Sequence, residues 1–446
     1  MDESESKPLR GLSRKLAAFT VSFRLESAPA EVLENAKMAI FDCLGVAVLA
    51  ATEEIGQILL RFARQNPSPG PCTVWGSGIS ASAREAAFLN GTLAHGLDYD
   101  DRNHASTYTL ASSLAAAESL NASGAKTLEA FIAGREARMC LDQIFSRRSE
   151  GLGPGARGWH SNGILGPIAA ACAASKIFAL DEDQTLAAIG LAAGSCGALT
   201  RDGGTMAKPF RCGHAAATGL TCALLTKEGF TSDETPLEGP YGLLSALGPI
   251  EPALVESLGR DLGREFNLAS SGIRIKPFAS CTATHSGVEA MLRLVQKRSI
   301  APSEVDFIEC DFRPYPLVRI SPKRAFEGRF GMPFCLAVAL ILGRLNPEDF
   351  SEERLQDPRV KSLMERTRHI AGAQTLVVGL KDGARITETI RPHRDLHGWD
   401  EVRQKFDRCA AKALSQTQQQ AVSDMVRHLE EILSIEELTK ALRGAH

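Results

Sequence analysis

Four short segments gather ionisable side chains beside glycine or proline. The first is His95-Gly-Leu-Asp98-Tyr-Asp100-Asp101-Arg102-Asn-His104, with three carboxylates, two imidazoles and a guanidinium in ten residues. Asp and His are both metal ligands, so one reading is a metal site. A second is a solvated loop with an N-cap aspartate, and a third is an acid/base and substrate-positioning loop. The segment alone leaves all three open. The second segment, Gly158-Trp-His160-Ser-Asn-Gly, follows the glycine-rich GLGPGARG. It reads either as a loop presenting an imidazole or as a histidine merely hydrogen-bonded in place. The third, Gly203 to His214 (GGTMAKPFRCGH), carries Lys208 and Arg211, although a lysine's commonest place is the surface. The fourth, IRIKPFASCTATH, runs from Ile273 to His285. If its start is extended, Arg274 and Lys276 share one face at i, i+2; the plainer alternative is a charged edge strand. Cys281 with His285 as base would suit a cysteine hydrolase, but the segment matches no nucleophile signature.

The rest of the chain narrows the chemistry. Phosphate-loop spacing, a dinucleotide fingerprint and zinc spacing are all missing, so the expectation is no organic cofactor and no metal. The formal charge of −3 over 446 residues advertises neither nucleic acid nor an anionic membrane. Eleven cysteines include no C-x-x-C pair, and Cys43, Cys172, Cys222 and Cys335 sit in apolar runs as small hydrophobes. That pattern points to a reducing compartment without disulfides, hence the cytoplasm. The first residues, MDESESKPLRG, lack the apolar stretch of a signal peptide. Met332–Leu342, the most apolar run, is shorter than the ~20 residues of a membrane span.

The elements that must position these segments fall into two kinds. Residues 1–265 are rich in Ala, Leu and Gly with helical spacing. Leu33, Ala36, Ile40 and Leu44 fall on one face, and Asp181 with Gln184 forms a capping box ahead of Leu186, Ile189 and Ala193. After Arg264 the pattern changes. Val305–Val318 alternates like a strand, TLVVGL-KDG-ARITETI reads as a hairpin turning at Asp382-Gly383, and Met332–Leu345 reads as a helix. The spacing predicts a mainly α protein. An all-helical domain takes residues 1–265 together with 401–446, and a smaller α+β domain takes 266–400. A pocket between domains is a favoured place for a small ligand.

In order, FDCLGVAVLA, NGTLAHGLDYDD, GWHSNGILGP, GTMAKPFRCGHAAATGL, LEGPYGLLSALG, IKPFASCTATH and RFGMPFCLAVAL resemble the MmgE/PrpD family over nearly the whole chain. That family holds 2-methylcitrate dehydratases, cis-aconitate decarboxylases and iminodisuccinate epimerases. The resemblance implies a helical domain with a lid, a homodimer, and a small polycarboxylate substrate in the cleft. It places the family's acidic motif on Asp98, its loop histidine on His160 and its lysines on Lys208 and Lys276. The position that is His or Cys in members falls on Cys281, and the lid tyrosine aligns loosely with Tyr315. Two positions depart from the lyase pattern: its threonine is Arg102 here, and the histidine of its His-Pro pair is Tyr108.

Removing a proton α to an ionised carboxylate puts two charges on one group, so cations in a water-poor pocket supply the main stabilisation. Lys208, Lys276 and Arg102 suit that task, His160 is the natural base, and Asp98 orients one of them. Tyr108 completes the expected catalytic set, while Arg102, His104, Arg274, Cys281 and Tyr315 are expected to hold substrate. Gaining Arg102 and Tyr108 while losing a histidine tips the expectation to a cofactor-independent epimerase of an iminodisuccinate-like substrate. A dehydratase or decarboxylase is the alternative, and a non-catalytic carboxylate-binding homologue the second.

Overall fold

A computed structural model describes residues 11–146, 154–270, 272–312 and 321–444. The chain is mainly α, with twenty α-helices among the described residues and only small sheets. At its centre lies the helix Ala30–Thr52, buried at every residue from Ala36 to Ala51. The sequence marks one face of this helix, but neighbours cover it on all sides, so an apolar stripe became an apolar cylinder. Ala83–Ala94, Ala105–Leu120 and Gly124–Ser146 pack on it, and Ser161–Ile177 and Ala207–Lys227 pack on those three and on each other. The helix Glu182–Gly194 opens with the expected capping box of Asp181 and Gln184.

Small residues set how closely these helices approach. A Cβ on Gly213 would lie 2.0 Å from Thr92 Oγ1 and 2.2 Å from the Phe88 carbonyl. One on Gly219 would lie 2.4 Å from Ala171 N. The Ala83–Ala94 helix leads straight into the acidic segment, and the Ala207–Lys227 helix carries Lys208 in its first turn. Backbone contact at Gly213 therefore fixes the distance between two of the chemistry-bearing segments.

The second region is built on a four-stranded sheet in the order Thr367–His369, Val305–Cys310, Thr375–Leu380, Arg385–Thr389. Val305–Cys310 runs parallel to the first and antiparallel to Thr375–Leu380. The hairpin turns where the sequence places it, with Gly383 at φ 87° and Asp382 Oδ1 accepting from Ala384 N. Helices Thr282–Lys297 and Met332–Leu342 pack against each other beside the sheet. The strand expected over 305–318 is formed to Cys310; Tyr315 lies outside the described residues.

Residues Gly398–Ala410 return as a helix lying along Ala30–Thr52. Phe41 and Phe406 stack at 4.0 Å between centroids. Beside them a fully buried ion pair, Lys405 with Asp42 at 2.6 Å, joins the two helices. No single described helix is long and apolar enough to cross a membrane, and the one pair that passes on composition, Ala30–Thr52 with Glu54–Gln65, is bent by 78°.

The Gly213 contact gives a test. Gly213→Ala should destabilise the protein by about 1–3 kcal/mol through overpacking, read as a lower urea midpoint. It should also lower turnover, because relief requires Lys208 to move away from the acidic segment. A variant with wild-type midpoint and activity would show that the helices separate freely.

Candidate active site

The acidic segment leaves the Ala83–Ala94 helix and doubles back before Ala105–Leu120. Two of its residues are left-handed, Asp98 at φ 48° and His104 at φ 59°. Such φ values in residues with a Cβ cost energy that surrounding contacts must offset. Several contacts do so. Asp101 spends one oxygen on Asn103 N and the other on Ser106 N, capping the following helix. Asp101 also bridges to Ile275, which bridges in turn to Leu396, so three chain segments meet edge to edge. From below, the Lys405 ammonium donates to the Tyr99 carbonyl and lies 3.8 Å from the Tyr99 ring centroid.

Asp98 is the hub. Lys276 Nζ donates to its Oδ1 at 2.6 Å and to its carbonyl at 2.8 Å. Lys208 Nζ donates to Oδ2 at 2.9 Å. All three side chains are buried. Burial alone would raise the pKa of Asp98, but the two ammonium groups override it and hold the carboxyl well below its usual range. Burial likewise opposes the charge on Lys208, and Asp98 outweighs it, so that pKa is raised.

Asp100 makes a second centre. Its Oδ1 lies 2.8 Å from His95 Nδ1 and its Oδ2 lies 2.8 Å from His104 Nδ1. The carboxylate has no proton to give, so both imidazoles carry a proton on Nδ1 and donate it to Asp100. His95 Nε2 is buried without a partner. His104 Nε2 lies 3.9 Å from Asp98 Oδ1, and this side chain is 13% exposed. Burial, partly offset by Asp100, pushes the pKa of His104 down to about 4, so it is neutral near pH 7.

His160 adopts the opposite tautomer. Its Nδ1 accepts the backbone N–H of Asn162, capping Ser161–Ile177 at 3.3 Å. The neutral ring therefore carries its proton on Nε2. Burial first, then Arg211 and Lys208, push its pKa well below the usual histidine value. Its own N–H bonds Ala198 O, and Trp159 bridges Leu199, so the glycine-rich turn is stapled to the segment before Lys208.

His95, Asp98, Asp100 and His104 offer ligand atoms within 4.8 Å of one another, the spacing of a metal cluster. Both oxygens of Asp98 are, however, held by ammonium groups, and a divalent ion would have to displace them. The donor set fits an acid/base site better than a metal site.

The other expected site residues are less central. Cys281 sits at the N-terminus of Thr282–Lys297, where burial first and Asp98 second raise its thiol pKa. His285 Nε2 bonds the Ser280 carbonyl at 3.1 Å and its ring packs on Phe278 and His393, so no thiolate–imidazole pair forms. Arg274 is exposed while Lys276 is buried. The shared face fails because the extended stretch is only a bridge at Ile275, too short to enforce strand alternation. Arg102 pairs with Asp395 at 3.2 Å, and its N–H bonds Arg274 O. Tyr108 is fully buried and accepts from Arg138 Nε at 2.8 Å.

Sequence reasoning passed over Asp42, Lys405, Asp395 and Arg329. Arg329 is 3% exposed, donates to the Ala279 carbonyl and accepts from Cys281 N, fixing the loop after Lys276. One signal existed for the first pair: Asp42 is a lone charge in the apolar run MAIFDCLGVAV. Its buried partner lies more than 350 positions away, beyond any local pattern.

The depressed histidines predict a pH dependence. A His whose folded pKa lies below its unfolded value of about 6.5 favours the folded state above that pH, and stability drains away as pH falls. The urea midpoint should therefore decline from pH 7 towards pH 4.5, at up to about 1.4 kcal/mol per pH unit for each such group. A flat midpoint over that range would place both imidazoles in water.

Comparison with known proteins supplies the wider context. The MmgE/PrpD N-terminal domain matches residues 14–253 and the MmgE/PrpD C-terminal domain matches residues 278–431. The human cis-aconitate decarboxylase is 25% identical over 98% of this chain and 95% of its own length. The cis-aconitate decarboxylase-like protein oryM of Aspergillus oryzae is 24% identical over the full length of both. The Aspergillus terreus cis-aconitate decarboxylase is 24% identical over 98% of this chain and 97% of itself.

Proposed function

The chain belongs to the MmgE/PrpD family, and from that premise we propose that it is a cofactor-independent lyase releasing carbon dioxide from a cis-aconitate-like alkenyl tricarboxylate. The observation that carries this reading is the tautomer of His160, whose Nε2–H is a proton donor and whose ring feels the charge of the buried Lys208.

In such a substrate one carboxylate sits on a CH2 group next to the double bond. When its C–C bond breaks, the electron pair shifts through the double bond onto the far carboxylate, which becomes an ene-diolate. Lys208 and Lys276, held by Asp98, supply positive charge for those oxygens without reorganising. The carbon α to the ene-diolate then takes a proton from His160 Nε2. A neutral imidazole is a weak acid, but a carbanionic carbon is a strong base, and Arg211 and Lys208 stabilise the ring that has lost its proton. The Asn162 N–H keeps Nδ1 unprotonated, so the ring cannot rest as an imidazolium. Carbon dioxide leaves, the double bond moves, and one proton is added; the charges balance. His160 is thus an acid in this scheme, not the base that the sequence suggests.

The epimerase reading rested on Arg102 and Tyr108. One is paired with Asp395 and the other with Arg138, which withdraws the two substitutions that made an epimerase the expectation. Incubating the protein with a panel of polycarboxylates under proton NMR separates the reactions. Loss of carbon dioxide from cis-aconitate is expected; water loss, or inversion without net loss, would replace the proposal with a dehydratase or an epimerase. Activity should survive exhaustive chelation. Lys276→Ala, Lys208→Ala and His160→Gln should each lower turnover by roughly 10²–10⁴-fold, with the folded spectrum kept. Wild-type turnover in any one of them would remove that residue from the scheme.

A further inference from the structure

The decarboxylation above needs an acid and no base, yet a base is built into the same site. Asp100 is fully buried, and among the described residues no Lys or Arg lies within ion-pair distance of it. A buried carboxylate without a permanent cation is costly, by several kcal/mol for an isolated ion. Helix capping does not account for it, because Asp101 does the capping. Both Asp100 oxygens are instead committed to imidazole N–H groups. Only one of those imidazoles reaches open space. His95 is 1% exposed with Nε2 sealed, whereas His104 is partly exposed and its Nε2 points to the side of Asp98 where Lys276 binds. Carboxylate, imidazole Nδ1–H and a free Nε2 lone pair form the aspartate–histidine arrangement that turns a histidine into an oriented base.

We infer that His104, oriented by Asp100, is a general base that exchanges the CH2 protons of the bound alkenyl polycarboxylate with solvent, an activity separate from carbon dioxide release. In that step a C–H bond α to a carboxylate breaks and an N–H bond forms at His104 Nε2. The electron pair spreads into the double bond and the adjacent carboxylate, facing the same two lysines. Asp100 receives in the His104 imidazolium the cation it lacks. The imidazolium exchanges its proton with water and returns one to the same carbon, so substrate is regenerated with solvent hydrogen. A bound polyanion raises the basicity of His104 above its ligand-free level, by the Coulomb attraction that acts on any cation beside it.

This inference rests on the substrate class proposed above, and one experiment separates the two. The protein is incubated with cis-aconitate in D2O and stopped at partial conversion; recovered substrate and product are read by proton NMR and mass spectrometry. Deuterium is expected in the CH2 group of the recovered substrate, above an enzyme-free control. His104→Gln should lower the ratio of exchange to product formation at least a hundredfold, and Asp100→Asn at least tenfold. If His104→Gln does not fold, wild-type exchange together with Asp100→Asn still decides. Product without deuterium in recovered substrate overturns this inference and leaves the lyase reading intact. Exchange without product overturns the lyase reading and supports this one. Exchange in His104→Gln as fast as in the wild type would assign the base elsewhere and overturn the inference.

Discussion

The interaction on which the site depends is the sharing of one buried carboxylate, Asp98, by two buried ammonium groups. Lys208 lies in the first turn of the Ala207–Lys227 helix and Lys276 in the segment before the Thr282–Lys297 helix, while Asp98 sits in a left-handed turn between helices. Separated, each of these groups would be an isolated charge out of water, costing several kcal/mol. Together they form a triad with a surplus positive charge. That surplus is what a polycarboxylate would meet, and it is held in place before any ligand arrives. Preorganisation of this kind is the usual source of electrostatic stabilisation in a water-poor site.

Around that triad the backbone decides which histidine nitrogen carries the proton. The first N–H groups of Ser161–Ile177 need acceptors, and His160 Nδ1 supplies one. Asp100 needs donors, and Nδ1 of His95 and of His104 supply them. A helix end and a buried carboxylate thus give opposite tautomers to His160 and His104. One becomes a proton donor and the other an acceptor, with both kept neutral by burial. The division of labour needs no difference in residue type.

The turn bearing Asp98 and Asp100 is held from three sides. Lys405, neutralised by Asp42, grips the Tyr99 carbonyl between them. Burial outweighs the attraction of Lys405 and raises the pKa of Asp42 to about 6. Arg102 and Asp395 join the turn to the segment before Gly398, and the bridges at Ile275 close the seam. Strain at the two left-handed residues is sustained because the surroundings over-determine it.

The sequence by itself determined a great deal of this. Periodicity located the helices, the Asp181–Gln184 box and the Asp382-Gly383 turn, because these are set by contacts within a few residues. The four segments holding Asp98, His160, Lys208 and Lys276 were also legible, since charges beside glycine and proline in an apolar chain stand out. What each residue touches was decided only by the tertiary structure. Arg102 and Tyr108 drew attention as substitutions, yet Asp395 and Arg138 claim them. Asp100, read as one acid among three, became the orienting group for two imidazoles. Asp42 and Lys405 were invisible as a pair. Charge interactions act through a few ångströms of space, not along the chain, and a proton sits on whichever nitrogen the folded neighbours leave free. Residue type and spacing state what chemistry is available; only packing states which atom performs it.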